Sequence, residues 1–164
     1  MGLRLPILLF RAGVGPLFGR RLLLLHHVGR LTDLDRRVVL EVVAHDPVNE
    51  SWIVASGFGA RADWYQNLRH QPKTVIQIGN RPHAVTALFL SPDDGADIMA
   101  GISSGPTASW PYARRHPRTA GRLCTFMGLP ADGSEASFRE AGRSIPFVRL
   151  DGTHGHHGHG PGRA

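Results

Sequence analysis

Lys73-Thr74-Val75-Ile76-Gln77-Ile78-Gly79-Asn80-Arg81-Pro82-His83-Ala84-Val85-Thr86-Ala87-Leu88-Phe89-Leu90 is the stretch that decides the fold. Apolar and polar residues alternate over Lys73 to Ile78 and again over His83 to Leu90, the two-residue period of a half-buried strand. Gly79-Asn80-Arg81-Pro82 between them supplies turn formers, so the segment predicts an antiparallel hairpin.

The neighbouring segments extend this reading in both directions. Downstream, Ser91 is a helix cap, Pro92 a first helical residue, and Asp93 and Asp94 suit the positive end of a helix running to about Ala100. Helical regions are predicted over Trp110 to Met127 and Glu135 to Gly142, with a last strand from Ile145 to Leu150. Upstream, Arg21 to His27 is dense enough in apolar residues for a buried strand, and Gly29 to Asp35 is a polar turn. Val38 to Ala44 and Trp52 to Ala55 pair around the loop from His45 to Glu50, and Ala62 to His70 is a short helix that ends before Pro72. No strand-helix-strand unit repeats, which excludes a doubly wound parallel sheet. The expected fold class is mainly β with peripheral helices, a small antiparallel barrel.

The chain has 164 residues, the size of one domain, and 20 Gly with 12 Pro argue against a helical bundle. Three parts are expected: residues 1–20, residues 21–150 as the barrel domain, and residues 151–164 as a disordered His/Gly-rich tail. Residues 3–18 place Leu3, Ile7, Phe10, Val14 and Leu17 at helical spacing among arginines, too short a run to span a membrane. This helix either covers an open end of its own domain or makes peripheral contact with a membrane surface. Cys124 is the single cysteine; it excludes an internal disulfide and clustered-cysteine metal sites, and it points to the cytoplasm, with the inner face of the cell membrane as the site of any surface contact. A formal charge of +6 favours anionic partners. Nucleic acid is not among those expected, because the basic face Arg114, Arg115, Arg118 and Arg122 lacks interleaved aromatic platforms. The tail histidines His154, His156, His157 and His159 form a floppy cluster without preorganised geometry, so no native metal site is expected. His26, His27 and His45 lack partners at ligand spacing and read as core or loop residues.

Chemistry concentrates in Ala55-Ser56-Gly57-Phe58-Gly59-Ala60-Arg61-Ala62-Asp63-Trp64-Tyr65-Gln66-Asn67-Leu68, between a strand and a helix. Two close glycines allow a sharp turn with outward N–H groups, the helix start brings its positive end, and Arg61 adds a fork of donors. By itself this suits a phosphate or carboxylate, and it equally suits an ordinary strand-to-helix turn.

The whole string resembles the Ala-Ser-x-x-Gly and Trp-Tyr-x-Asn-Leu segment of the deazaflavin-dependent nitroreductase and quinone reductase family. Val28-Gly29-Arg30-Leu31-Thr32 resembles that family's Gly-Arg-Lys-Ser/Thr-Gly, followed by Arg36-Arg37. Gln71-Pro72, Ser91-Pro92, Tyr112-Ala113-Arg114-Arg115-His116-Pro117 and Ile145-Pro146 continue the match over most of residues 3 to 150. The resemblance implies a split β-barrel of the flavin-reductase or pyridoxamine-phosphate-oxidase type. It implies binding of coenzyme F420 (8-hydroxy-5-deazaflavin) and transfer of hydride to a quinone, nitroaromatic or enone. By position, Arg30 and Thr32 would contact the coenzyme's tail, Ser56, Gly57, Phe58, Gly59, Ala60 and Arg61 its phosphate and ring region, and Trp64, Tyr65 and Asn67 would shape the pocket. Ser56 and Tyr112 are the catalytic candidates, with Tyr112 equally readable as a helix residue covering the barrel. A small-molecule electron acceptor is the expected partner, and split barrels frequently form homodimers. Leu31 replaces the family's lysine and Asp33 its glycine, and both changes weaken an anion site. A non-catalytic deazaflavin-binding protein, or a barrel that uses FMN, haem or another anionic cofactor, is the competing reading.

Overall fold

The computed structural model describes residues 22–104, 114–115 and 117–153. The helix expected at residues 1–20, the tail beyond Thr153 and Tyr112 lie outside the described residues.

Six strands form an antiparallel barrel: β1 (Leu22–Val28), β2 (Asp35–Asp46), β3 (Ser51–Ala55), β4 (Lys73–Ile78), β5 (Arg81–Phe89) and β7 (Phe147–Gly152). Their order is β1-β4-β5-β7-β3-β2, and the pairing of β1 with β2 closes the circuit. A two-residue strand, β6 (Arg114–Arg115), adds to β2 at Ala44 and His45. The expected barrel is therefore the observed one. Among the described residues four α-helices accompany it: α1 (Asp63–His70), α2 (Pro92–Ser104), α3 (Pro117–Met127) and α4 (Glu135–Ser144). None of the described helices is long and apolar enough to cross a membrane.

The hairpin is tighter than its sequence suggests. Ile78 pairs with Arg81 and Gln77 with Pro82, so only Gly79 and Asn80 form the loop. Gly79 supplies the positive φ of 57° that the first position of a type II′ turn needs. Pro82 is tolerated inside β5 because β7 joins that strand only from Val85 onward. Of the helix expected over Trp110 to Met127, Pro117–Met127 is helical and Arg114 and Arg115 instead pair with β2, while residues 110–113 and 116 lie outside the described residues.

Alternation divides the apolar residues between two cores. Leu23, Leu25, Leu40, Val42, Trp52, Val54, Ile76, Val85, Val148 and Leu150 fill the barrel, and Trp64, Tyr65 and Leu68 of α1 join them. Val43, Ala44, Ile53 and Phe147 face outward and are covered by Met99 of α2, Cys124 of α3 and Ala141 of α4. The register shift between Val42 and Ala44 is a bulge, and it puts Val43 and Ala44 together on this outer core.

That bulge also marks where β2 changes partners. Asp35 to Glu41 pair with β1, whereas pairing with β3 begins only at Val42. Beyond Ala55 the chain leaves the sheet through the Ser56–Ala62 turn and enters α1. Among the described residues, the first half of β2 consequently has a strand partner on one side only.

Candidate functional site

A cleft of about 1290 Å³ lies along that half of β2. Its walls are β2 from Arg36 to Glu41, the turn and helix start at Gly57, Phe58, Asp63 and Trp64, and the α3–α4 region including Arg122, Phe126, Asp132 and Phe138. The volume is ample for a large cofactor.

The Ser56–Ala62 turn is held by its own backbone. Ser56 is fully buried; its N–H donates to the Pro146 carbonyl at 2.9 Å and its hydroxyl to the Gly59 carbonyl at 2.5 Å. Gly59 has φ 77°, the left-handed conformation that the sharp bend requires. A Cβ at Gly57 would sit 2.8 Å from a Phe126 ring carbon, so a larger residue there would push that ring aside. Phe58 and Phe126 meet edge to face with centroids 5.4 Å apart, and both are largely exposed at the cleft.

The Gly29–Leu34 turn is built differently. The Arg30 backbone N–H donates to Asn67 Oδ1 at 3.1 Å, and Arg30 Nη1 donates to the same oxygen at 2.9 Å and reaches Asp63 Oδ1 at 3.5 Å. Asn67 Nδ2 lies 3.0 Å from His27 Nδ1. Asn67 is thus a buried staple that fastens α1 to the end of β1 and to the turn. Thr32 Oγ1 accepts weakly from the Leu34 N–H at 3.4 Å. Asp33 adopts φ 54°, and Leu31 is 87% exposed.

Of the residues marked by sequence, Gly57, Phe58 and Trp64 line the cleft. Tyr65 is buried in the barrel core, edge to face with Phe89. Ala60 and Arg61 are exposed outside the lining; Arg30, Thr32, Ser56 and Gly59, in the two turns, and Asn67, on α1, are also not part of it. Arg36 and Arg37, which follow the first motif, are on the lining itself. His27, Arg122, Phe126 and Phe138 also line it and carry no local sequence signal, since distant segments bring them there.

The charges of the lining are unevenly committed. Glu41 pairs with Arg122 at 3.8 Å and Asp63 with Arg30. Asp132 is held at about 2 by hydrogen bonds from Ser134. Arg36 and Arg37 are exposed and are matched by no recorded ion pair among the described residues. His26 and His27 both titrate below the ordinary 6.5, chiefly through burial and then through Arg37 and Arg36 respectively. Burial raises the Cys124 thiol, so it is an inert wall residue. No group of three or more metal-ligating side chains occurs among the described residues. An elongated anion with a planar apolar portion fits this set: uncommitted arginines on β2, and aromatic rings across from them.

A family model for F420H(2)-dependent quinone reductase matches residues 10–127. No curated protein matches the chain. Among solved structures, an F420-H2 dependent reductase (FDR-A) is similar at 18% identity and a TM-score of 0.49, over 80% of this chain and 95% of that one. A protein of unknown function from Agrobacterium tumefaciens gives 10% identity and a TM-score of 0.50, over 85% of this chain and 52% of that one. A pyridoxamine 5′-phosphate oxidase-related, FMN binding protein from Nostoc punctiforme gives 15% and 0.48, over 91% and 78%.

Proposed function

The chain belongs to the F420H(2)-dependent quinone reductase family, an oxidoreductase family that uses this deazaflavin coenzyme, and on that premise we propose that the cleft along β2 is where coenzyme and acceptor meet. The acceptor is a quinone, nitroaromatic or enone. The observation that carries this reading is the juxtaposition of Arg36 and Arg37 with the Gly57–Phe58 turn and Trp64 across one cleft.

When bound, the coenzyme supplies the hydride; the protein supplies position and environment. Arg36 and Arg37 hold the anionic phosphate and glutamate tail, assisted at longer range by Arg61. Ser56 fixes the turn through Gly59, so that Gly57 and Phe58 present backbone and ring to the cleft. Trp64 closes its floor, and Phe58 with Phe126 forms an apolar wall that excludes water from the acceptor side. Tyr112 remains our second candidate for contact with the acceptor. Residues 3–18 either cover an open end of the domain or make peripheral contact with a membrane surface, where a lipophilic quinone would be found.

Titration with oxidised coenzyme, followed by its fluorescence, tests the binding. Mixing reduced coenzyme with menadione tests turnover: the oxidised coenzyme's absorbance should return faster than in a protein-free control, and equal rates overturn the catalytic reading. The exposed Leu31 and the acid at Asp33 favour a second reading, coenzyme binding without turnover. Saturable fluorescence changes with no turnover would select it.

A further inference from the structure

His27 was expected to be a core or loop histidine, yet it borders the cleft while being only 7% exposed. Its hydrogen bonding fixes its chemical form. Arg30 presents two nitrogen donors to one end of the Asn67 amide, so that end is the oxygen. The other end, Nδ2, then faces His27 Nδ1 and can only donate. Nδ1 must carry the lone pair, which leaves the ring hydrogen of the neutral imidazole on Nε2. The surroundings favour that neutral form: burial first, then Arg36, outweigh the acid Asp63.

No buried side-chain nitrogen or oxygen among the described residues lacks a partner, and the His27 side chain makes no hydrogen bond among the described residues except that to Asn67. Nε2 therefore keeps some exposure, and His27 is one of the residues that line the cleft.

We propose that His27 is a ligand-contacting residue of the cleft, whose Nε2–H donates a hydrogen bond to a carbonyl oxygen of a planar conjugated ligand, in a tautomer set by Arg30 through Asn67. This rests on the reading of the cleft as the coenzyme and acceptor site. A neutral imidazole is a suitable donor there, because it polarises a carbonyl without placing a buried cation beside the positive charge of Arg36. Both the deazaflavin ring and a quinone carry such oxygens.

The test uses the full chain labelled with 15N-histidine. Long-range 1H–15N correlation of the free protein should show His27 as the Nε2–H tautomer, and an Nδ1–H tautomer overturns the proposal. Oxidised coenzyme and menadione are then added in separate titrations; a shift of the His27 Nε2 resonance with either supports the contact and names its source. Coenzyme fluorescence that reports binding while His27 stays unmoved in both titrations overturns the proposal and leaves the cleft reading standing. Absence of binding by both ligands overturns the two together. For the ligand that moves the resonance, His27→Leu should weaken binding about tenfold, the loss of one donor, while His27→Gln, which keeps a donor at similar reach, should stay within about threefold. Equal loss in folded samples of both variants overturns the assignment.

Discussion

The two turns on either side of α1's docking, Gly29–Leu34 and Ser56–Ala62, both match motifs in sequence and are built on opposite principles. Gly29–Leu34 spends its motif cation inward, with Arg30 tied to Asn67 and Asp63. Ser56–Ala62 closes on its own backbone through Ser56 and Gly59 and leaves Arg61 outside. A motif arginine and asparagine that resemble ligand contacts thus form a staple in this chain. Among the described residues, the arginines that line the cleft without an ion pair are Arg36 and Arg37, just beyond the motif.

The staple gives the strongest way to break this contrast. Asn67→Leu removes the partner of the Arg30 N–H, Arg30 Nη1 and His27 together, and should lower stability by about 3 kcal/mol. Urea denaturation checks this, and an unchanged midpoint would return Asn67 to the role of a ligand contact. Ser56→Ala leaves the Gly59 carbonyl without its hydroxyl donor and should cost about 1.5 kcal/mol, visible in the same assay. A variant of wild-type stability with turnover abolished would instead place the Ser56 hydroxyl on the reacting atoms.

Replacing both Arg36 and Arg37 by alanine should reduce coenzyme affinity about tenfold at low salt, with the difference shrinking as salt is raised. Fluorescence titration at two ionic strengths reads it directly, and full affinity in the double variant would shift the anchoring to Arg61. Asp33→Gly removes a side chain from a left-handed position and should stabilise the protein by about 0.5 kcal/mol while tightening coenzyme binding slightly. Destabilisation would show that the Asp33 side chain supports the turn.

The smallest expected effect is a pH signature. His26 and His27 have pKa values below 6.5 in the folded chain, so below that pH the unfolded chain takes up protons that the native state refuses. Their contribution is flat above about pH 7 and erodes as pH falls from there toward the depressed values. Denaturation midpoints measured at pH 7.5 and 5.5 should converge when both histidines are replaced by glutamine, and an undiminished drop would assign the pH dependence to other groups.

Much of the barrel was legible because alternation is local. Val85 and Ala87 face inward between polar or exposed neighbours, and the hairpin that carries them needs no distant information. β2 was less legible at its start, since Asp35-Arg36-Arg37 reads as the end of a polar turn. These residues become strand because β1 offers a ladder to Val28, His27 and His26. β6 was illegible for the same reason, a two-residue pairing whose cause lies about seventy residues upstream. At the site, motif spacing located both turns but not which way their side chains are spent. The direction of Arg30 depends on where α1 docks, and Phe126 reaches Gly57 only through packing of α3 on the outer core.

The change of partners at the β2 bulge has a consequence beyond geometry. A strand flanked on one side only is a seam in an otherwise closed wall, and whatever rests in the cleft rests against that seam. Occupancy and integrity of the wall then become one equilibrium read from two ends: coenzyme should slow amide exchange in residues 35–41 and raise the unfolding temperature together, both growing with the logarithm of free coenzyme once its concentration exceeds Kd.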